Sequence, residues 1–171
     1  MREAAEGIDF LSAQGIYHRD IKPQNLLLFY GRVKLADLGL MKLTALTTAS
    51  HTGSGTLGYC PPEAYDDRWL HPTIDLYGLA ATYVKLRTDQ EPFSTNHLEI
   101  AERQKAGNPI PEGLQAEEAE LVRRALAFRP EERPQEKATP WIEPLYRALI
   151  PLAAQGPMIK TAAEERPGCG R

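Results

Sequence analysis

The chain has 171 residues, of which 42% are hydrophobic and 25% charged, a composition typical of one globular domain with its own core. A formal net charge of -3 gives no electrostatic argument for nucleic acid, and no apolar run approaches the roughly 20 residues that span a bilayer. Cys60 and Cys169 lie far apart and outside metal-ligand spacing, which favours a reducing, cytoplasmic location.

The first predicted element is a helix at residues 2–14. Ala5, Ile8 and Leu11 recur at helical spacing and share one face, and Gly15 follows the predicted end. The helix has no capping side chain before it, so we expect its beginning to lie upstream of this sequence.

A β-hairpin is predicted next. The polar loop 18–25 leads into the apolar run 26–29, and Tyr30-Gly31 can turn the chain. Val33 and Leu35 then alternate with polar or small residues, which is the pattern of a half-buried strand.

The remainder of the chain reads as one long loop followed by helices. Residues 37–62 are rich in Gly, Ser and Thr, and long loops in compact domains are usually functional or disordered. Residues 73–87 are apolar on every face and predict a helix buried in the core. Further helices are predicted at residues 96–106, at 116–128 and through Trp141 and Tyr146, and a loose tail at residues 151–171. The predicted fold is therefore mainly α with a small β-hairpin.

The polar loop His18-Arg19-Asp20-Ile21-Lys22-Pro23-Gln24-Asn25 carries the chemistry. Phosphoryl transfer needs an aligned acceptor hydroxyl, a neutralised phosphate charge and Mg²⁺ held on the phosphates. A carboxylate, an ammonium group and a carboxamide suit those three tasks. The loop resembles the catalytic loop of serine/threonine protein kinases, and Asp37-Leu38-Gly39 resembles their metal-binding DFG turn, with Leu in place of Phe.

The resemblance implies a role for each matching residue. Asp20 would accept or orient the proton of the substrate hydroxyl, and Lys22 would contact the transferring phosphate, as is typical of serine/threonine specificity. Asn25 and Asp37 would hold Mg²⁺, and Leu27 would form part of the floor beneath the adenine of ATP. The implied cofactors are ATP and Mg²⁺, and the implied partner is a protein with a serine or threonine acceptor.

A second stretch resembles the substrate-docking loop of the same family. Residues 55–63, Gly55-Thr56-Leu57-Gly58-Tyr59-Cys60-Pro61-Pro62-Glu63, end in a motif like Ala-Pro-Glu with proline in place of alanine. By this resemblance Thr56 would contact the catalytic loop, and Arg19 would pair with a phosphorylated hydroxyl in the activation loop. Glu63 would pair with Arg133.

The resemblance also implies two supporting residues. His18 would belong to an internal hydrophobic column rather than act as a base. Asp75 opens the all-apolar helix, where a carboxylate is unfavourable unless it is hydrogen-bonded. Its implied partners are backbone N–H groups of the His18-Arg19 turn. Arg129 stands where the family usually has Asp, so that corner is expected to be built differently.

The match covers residues 3–150, so we expect residues 1–150 to form a kinase C-terminal lobe and 151–171 a flexible tail. A complete kinase domain of this kind begins with a β-rich N-terminal lobe that carries a Gly-rich loop, a nucleotide-binding Lys and its partner Glu. None of these motifs precedes Asp20, so this lobe is expected to be missing. The alternatives to a truncated kinase are a non-catalytic module that holds partners in the substrate groove and an inactive gene fragment.

Overall fold

The computed structural model describes residues 1–37, 42–43, 57–65, 71–107, 109 and 112–154. Within these ranges the chain forms five helices and two small antiparallel sheets of two strands each. The helices are α1 (Arg2–Ala13), α2 (Ile74–Thr88), α3 (His97–Lys105), α4 (Ala116–Ala125) and α5 (Ala138–Ala154). The strands are β1 (Ile16–Tyr17), β2 (Leu26–Phe29), β3 (Arg32–Leu35) and β4 (Lys42–Leu43). The prediction of a mainly helical fold with a small hairpin is confirmed.

Helix α2 forms the centre of the core. Every residue from Ile74 to Val84 is buried, as the absence of a polar face predicts. Helices α1, α4 and α5 surround it and contribute buried side chains such as Ala5, Val122 and Trp141. No helix in the described part of the chain is both long and apolar enough to cross a bilayer.

The predicted hairpin is formed by β2 and β3. Leu26 pairs with Leu35 and Phe29 with Arg32. Tyr30 and Gly31 form the turn with φ of 49° and 74°, the left-handed backbone that two-residue hairpin turns require.

The hairpin is joined to α1 by Glu3. This carboxylate accepts the Val33 backbone N–H at 2.6 Å and the Arg32 Nε–H at 2.8 Å. Both bonds involve β3, so one side chain of the first helix holds the second strand of the hairpin against α1.

Two features differ from the sequence predictions. Ile16 and Tyr17 pair with Leu43 and Lys42, which lie in the stretch predicted as a loop. Strands of two residues are too short to show periodicity, and their partners are distant in sequence. Helix α5 continues to Ala154, so its last turn falls within the segment predicted as a tail.

Gly78 allows α2 to approach the segment that contains the polar loop. A Cβ placed on Gly78 would lie 2.9 Å from Ile21 Cβ and 3.0 Å from the Ile21 carbonyl oxygen. We expect Gly78→Ala to lower the free energy of unfolding by about 1–3 kcal/mol, because the Ile21 backbone must move. Urea unfolding measures this change.

Gly7 provides the matched control. It also lies within a helix, but a Cβ there would meet only the flexible end of Leu35, whose Cδ1 lies at 3.0 Å. Since alanine is preferred over glycine in helices by about 1 kcal/mol, Gly7→Ala should be neutral or stabilising. Equal losses for Gly7→Ala and Gly78→Ala would show that the close approach at Gly78 is unimportant.

Candidate active site

Asp20, Lys22 and Asn25 meet in one small cluster. Asp20 is buried, and its Oδ2 lies 2.7 Å from Lys22 Nζ. Asn25 Nδ2 donates to the same oxygen at 2.9 Å and to the Asp20 backbone carbonyl at 2.7 Å. The structure therefore brings together the carboxylate, the ammonium group and the carboxamide that the sequence singled out.

Local backbone structure sets the spacing of this cluster. Lys22 is extended, with φ of -154°, and Pro23–Asn25 then form a single 3₁₀ turn. Proline favours this position because its φ is already suited to a helical turn. The turn carries Asn25 back toward Asp20, and β2 begins at the next residue.

Asp75 supports the cluster from α2. Its Oδ2 accepts the His18 backbone N–H at 2.8 Å, and its Oδ1 accepts the Arg19 N–H at 2.7 Å. Arg19 has a φ of 68°, a left-handed conformation that costs about 1–3 kcal/mol and persists only where neighbours enforce it. Burial raises the pKa of the Asp75 carboxyl, and the two N–H donors oppose that rise.

His18 joins the catalytic loop to the residue before Asp37. The buried ring places Nε2 2.9 Å from the Ala36 carbonyl oxygen. The Ala36 N–H donates to the Asn25 carbonyl at 2.9 Å. Both backbone groups of Ala36 are therefore held by the loop, which positions the start of the turn at Asp37. Asp37 itself is exposed and has a φ of 59°.

The donor set fits a Mg²⁺ ion that is shared with phosphate oxygens. Asn25 commits its Nδ2 to Asp20, so the carbonyl Oδ1 is the amide atom suited to a cation. Mg²⁺ is typically held by one or two carboxylates together with substrate phosphates. No group of three or more His, Cys, Asp or Glu among the described residues could hold a metal, so Asn25 and Asp37 would need oxygens from a ligand.

The side chain of Leu27 is 52% exposed in β2, directly after the cluster. Its exposure leaves an apolar surface on which a planar ring can rest.

Glu63 and Arg133 form a buried ion pair. Arg133 is 2% exposed, and its Nη2 lies 2.7 Å from Glu63 Oε2, while Nη1 contacts the second carboxylate oxygen. Arg133 also donates to the Ala127 carbonyl at 2.9 Å and lies 4.8 Å from the centre of the Tyr77 ring. The pair ties the end of the 57–65 segment to the central helix.

Some of the remaining predicted site residues are described by the structure and others are not. Thr56 and Leu38 lie outside the described residues. So do the serine and threonine side chains of residues 44–54, one of which, when phosphorylated, would pair with Arg19. The Arg19 side chain is buried. Cys60 is also buried, and burial raises the pKa of its thiol to about 12.

One buried polar residue near this site was missed by sequence reasoning. Gln104 lies on α3, one turn after the buried Ile100. The available signal was a glutamine at the position where helical spacing requires a buried residue.

Comparisons with known proteins identify the family of the chain. A family model described as a protein kinase domain matches residues 1–142. Aurora kinase A-A of Xenopus laevis is 33% identical over 148 residues, which cover 83% of this chain and 36% of that protein. Aurora kinase B of Mus musculus is 30% identical over 164 residues, covering 90% and 46%. A Corynebacterium efficiens protein named serine/threonine-protein kinases drp72 is 32% identical over 139 residues, covering 78% and 27%.

The chain spans less than half the length of these relatives. The family match nevertheless covers both the cluster of Asp20, Lys22 and Asn25 and the Glu63–Arg133 pair. The chain belongs to the serine/threonine protein kinase family.

Proposed function

We propose that the chain is the C-terminal lobe of a protein kinase domain, and that its site transfers the γ-phosphate of Mg-ATP to a serine or threonine of a protein. The cluster of Asp20, Lys22 and Asn25 carries this proposal. It unites a base, a cation and a metal-binding amide within one hydrogen-bonded loop, which matches the needs of phosphoryl transfer.

Asp20 would act on the acceptor hydroxyl. Its Oδ2 is held by Lys22 and Asn25, whereas its Oδ1 is buried and has no hydrogen-bond partner among the described residues. The Asp20 carboxylate would orient the hydroxyl and take up its proton as the new P–O bond forms and the bond to ADP breaks.

Lys22 is about one-fifth exposed and would balance the phosphate charge. Mg²⁺, when bound, would neutralise the phosphate oxygens, and Asn25 and Asp37 are the residues that would hold it.

The nucleotide would be covered by a β-rich N-terminal lobe. Leu27, Leu28 and Phe29 are consecutive in β2 and are 52%, 74% and 61% exposed. Leu27 and Phe29 share one face of the strand, and Leu28 lies on the other. Tyr30 is exposed at the turn, so the hairpin carries exposed apolar side chains of the kind that usually mark an interaction site. Its position directly after the catalytic cluster supports docking of that lobe here.

The first experiment is calorimetry of Mg-ATP binding to the purified chain, with Asp37→Ala as the comparison. We expect binding by the wild type that is lost or strongly weakened in Asp37→Ala, because one of two proposed cation ligands is removed. A folded wild-type chain that binds no Mg-ATP would instead favour a non-catalytic binding module.

Phosphate transfer to dephosphorylated casein tests the base, with a kinase N-terminal lobe supplied in trans. Asp20→Asn should lower the rate by a factor of about 10²–10⁴, the usual contribution of a general base. Asp89→Asn is the matched control, since the Asp89 side chain is fully exposed at the end of α2. Equal rates for these two variants would remove Asp20 from the mechanism.

A further inference from the structure

Helix α3 presents a buried amide to residues 57–60, which belong to the stretch 55–63 that resembles the substrate-docking loop, and from here on the name docking loop refers to these four residues alone. Gln104 is 2% exposed, and its Nε2 lies 2.9 Å from the Cys60 carbonyl oxygen and 3.2 Å from the Leu57 carbonyl oxygen. The Tyr77 hydroxyl of α2 lies 3.1 Å from the same nitrogen. Buried amides are unfavourable unless they are hydrogen-bonded, and the nitrogen of this one donates to two carbonyls of the docking loop, three residues apart.

The docking loop has further contacts along its length. The Tyr59 hydroxyl donates to Glu91 Oε2 at 2.9 Å. Burial raises the pKa of Tyr59, and the Glu91 carboxylate raises it further, so the hydroxyl remains a donor. A Cβ placed on Gly58 would lie 3.5 Å from Pro92. Residues 57–60 form turns rather than a strand or helix, so they lack the regular backbone hydrogen bonds of those elements and gain more from side-chain contacts.

The docking loop also lies close to the catalytic cluster. A Cβ placed on Gly78 would lie 3.0 Å from the Ile21 carbonyl oxygen and 3.5 Å from the Tyr59 carbonyl oxygen, so the docking loop and the residue after Asp20 meet at the same point of α2. The residues that follow the docking loop lead to Glu63 and its pair with Arg133. A shift of the loop would therefore change the surface next to the proposed base.

We propose that Gln104 is the positioning residue of the docking loop. By donating to the Leu57 and Cys60 carbonyls, it holds the docking loop as a fixed platform for the polypeptide segment that carries the acceptor hydroxyl. The substrate role rests on the proposed kinase function, whereas the effect of Gln104 on the loop conformation does not.

Cys60 provides a reporter of loop opening that needs no activity. Its side chain is 4% exposed, and the thiolate is the form that alkylating reagents attack. Burial raises the pKa of this thiol, so labelling by iodoacetamide requires the loop to open. A Cys169→Ser background confines the signal to Cys60.

The test compares Gln104→Met with the wild type in that background. Methionine keeps the length and volume of the side chain but cannot donate a hydrogen bond. We expect Cys60 to be labelled at least tenfold faster, because the Leu57 and Cys60 carbonyls lose their shared donor.

Tyr83→Phe is the control for general destabilisation. It removes a buried hydroxyl that bonds Glu118 of α4 rather than the docking loop. Labelling rates are compared with the unfolding free energy of each variant from urea titration. The proposal is overturned if labelling in Gln104→Met and Tyr83→Phe follows global stability in the same way.

A kinetic comparison tests the substrate role. With casein and a kinase N-terminal lobe in trans, Gln104→Met should raise the KM for casein several-fold and leave the KM for ATP unchanged. Faster labelling with an unchanged KM for casein would overturn the substrate role. Absence of transfer by the wild type would overturn the proposed kinase function, and the labelling rates would still decide whether Gln104 holds the loop.

Discussion

Replacing Arg133 with methionine is expected to lower the free energy of unfolding by about 3–5 kcal/mol. The substitution leaves Glu63 largely buried without its counter-charge, and breaking a buried pair from one side has this magnitude. It also removes the donor to the Ala127 carbonyl and the contact with the Tyr77 ring. Urea unfolding followed by circular dichroism measures the loss.

A second arginine, Arg2, pairs with a glutamate and lies over a tyrosine ring in the same way, but at the surface of the protein. Arg2 contacts both oxygens of Glu143, with Nε–Oε1 at 2.7 Å, and lies 4.8 Å from the centre of the Tyr146 ring. The Arg2 side chain is half exposed, so solvent screens the pair. Arg2→Met should therefore be far less destabilising than Arg133→Met. Similar losses for both would show that burial of the Glu63–Arg133 pair contributes little.

Asp75→Asn is expected to lower the free energy of unfolding by about 1–3 kcal/mol and to weaken Mg-ATP binding as well. The amide replaces one acceptor oxygen with an NH₂ group, so the N–H of His18 or of Arg19 loses its buried partner. Arg19 is then free to leave its left-handed conformation, which moves Asp20. Urea unfolding measures the change in stability, and calorimetry of the folded variant measures the change in Mg-ATP binding.

Asp9 offers the matched control for this change. Its carboxylate also accepts two backbone N–H groups, those of Ala138 at 2.7 Å and Thr139 at 3.0 Å. These donors lie at the start of α5 rather than in the His18–Asn25 loop. Asp9→Asn should lower stability but leave Mg-ATP binding intact. If both variants bind Mg-ATP like the wild type, the Asp75 contact does not position the site.

Much of the fold was predictable because its signals are local. Helical spacing located all five helices, and Tyr30-Gly31 located the hairpin turn. Helix ends were less accurate, since α4 stops at Ala125 although apolar spacing extends to Phe128. The pairing of Ile16 with Leu43 was missed because short strands form through tertiary contact rather than through a sequence pattern.

The candidate site was predictable only through likeness to a family. The spacing of Asp20 and Asn25 indicates that they can meet, but nothing local identifies the distant partners of Asp75 or Glu63. For Gln104, the sequence predicts the burial of the residue but not its partners. Periodicity marks its position as buried, yet only the folded chain shows which carbonyls it faces.

Contacts along one face of helix α2 fix the positions of residues 18–21 of the polar loop. Asp75, Gly78 and Thr82 are three or four residues apart and therefore lie on one face of the helix. Asp75 accepts the backbone N–H groups of His18 and Arg19, and Gly78 lies against Ile21. Thr82 Oγ1 donates to the Ile21 carbonyl at 3.4 Å. One residue inserted between Asp75 and Thr82 would rotate everything beyond it by about 100° and separate these contacts. The number of residues between Asp75 and Thr82 is therefore constrained by the loop that both contact, in addition to the burial of each residue between them.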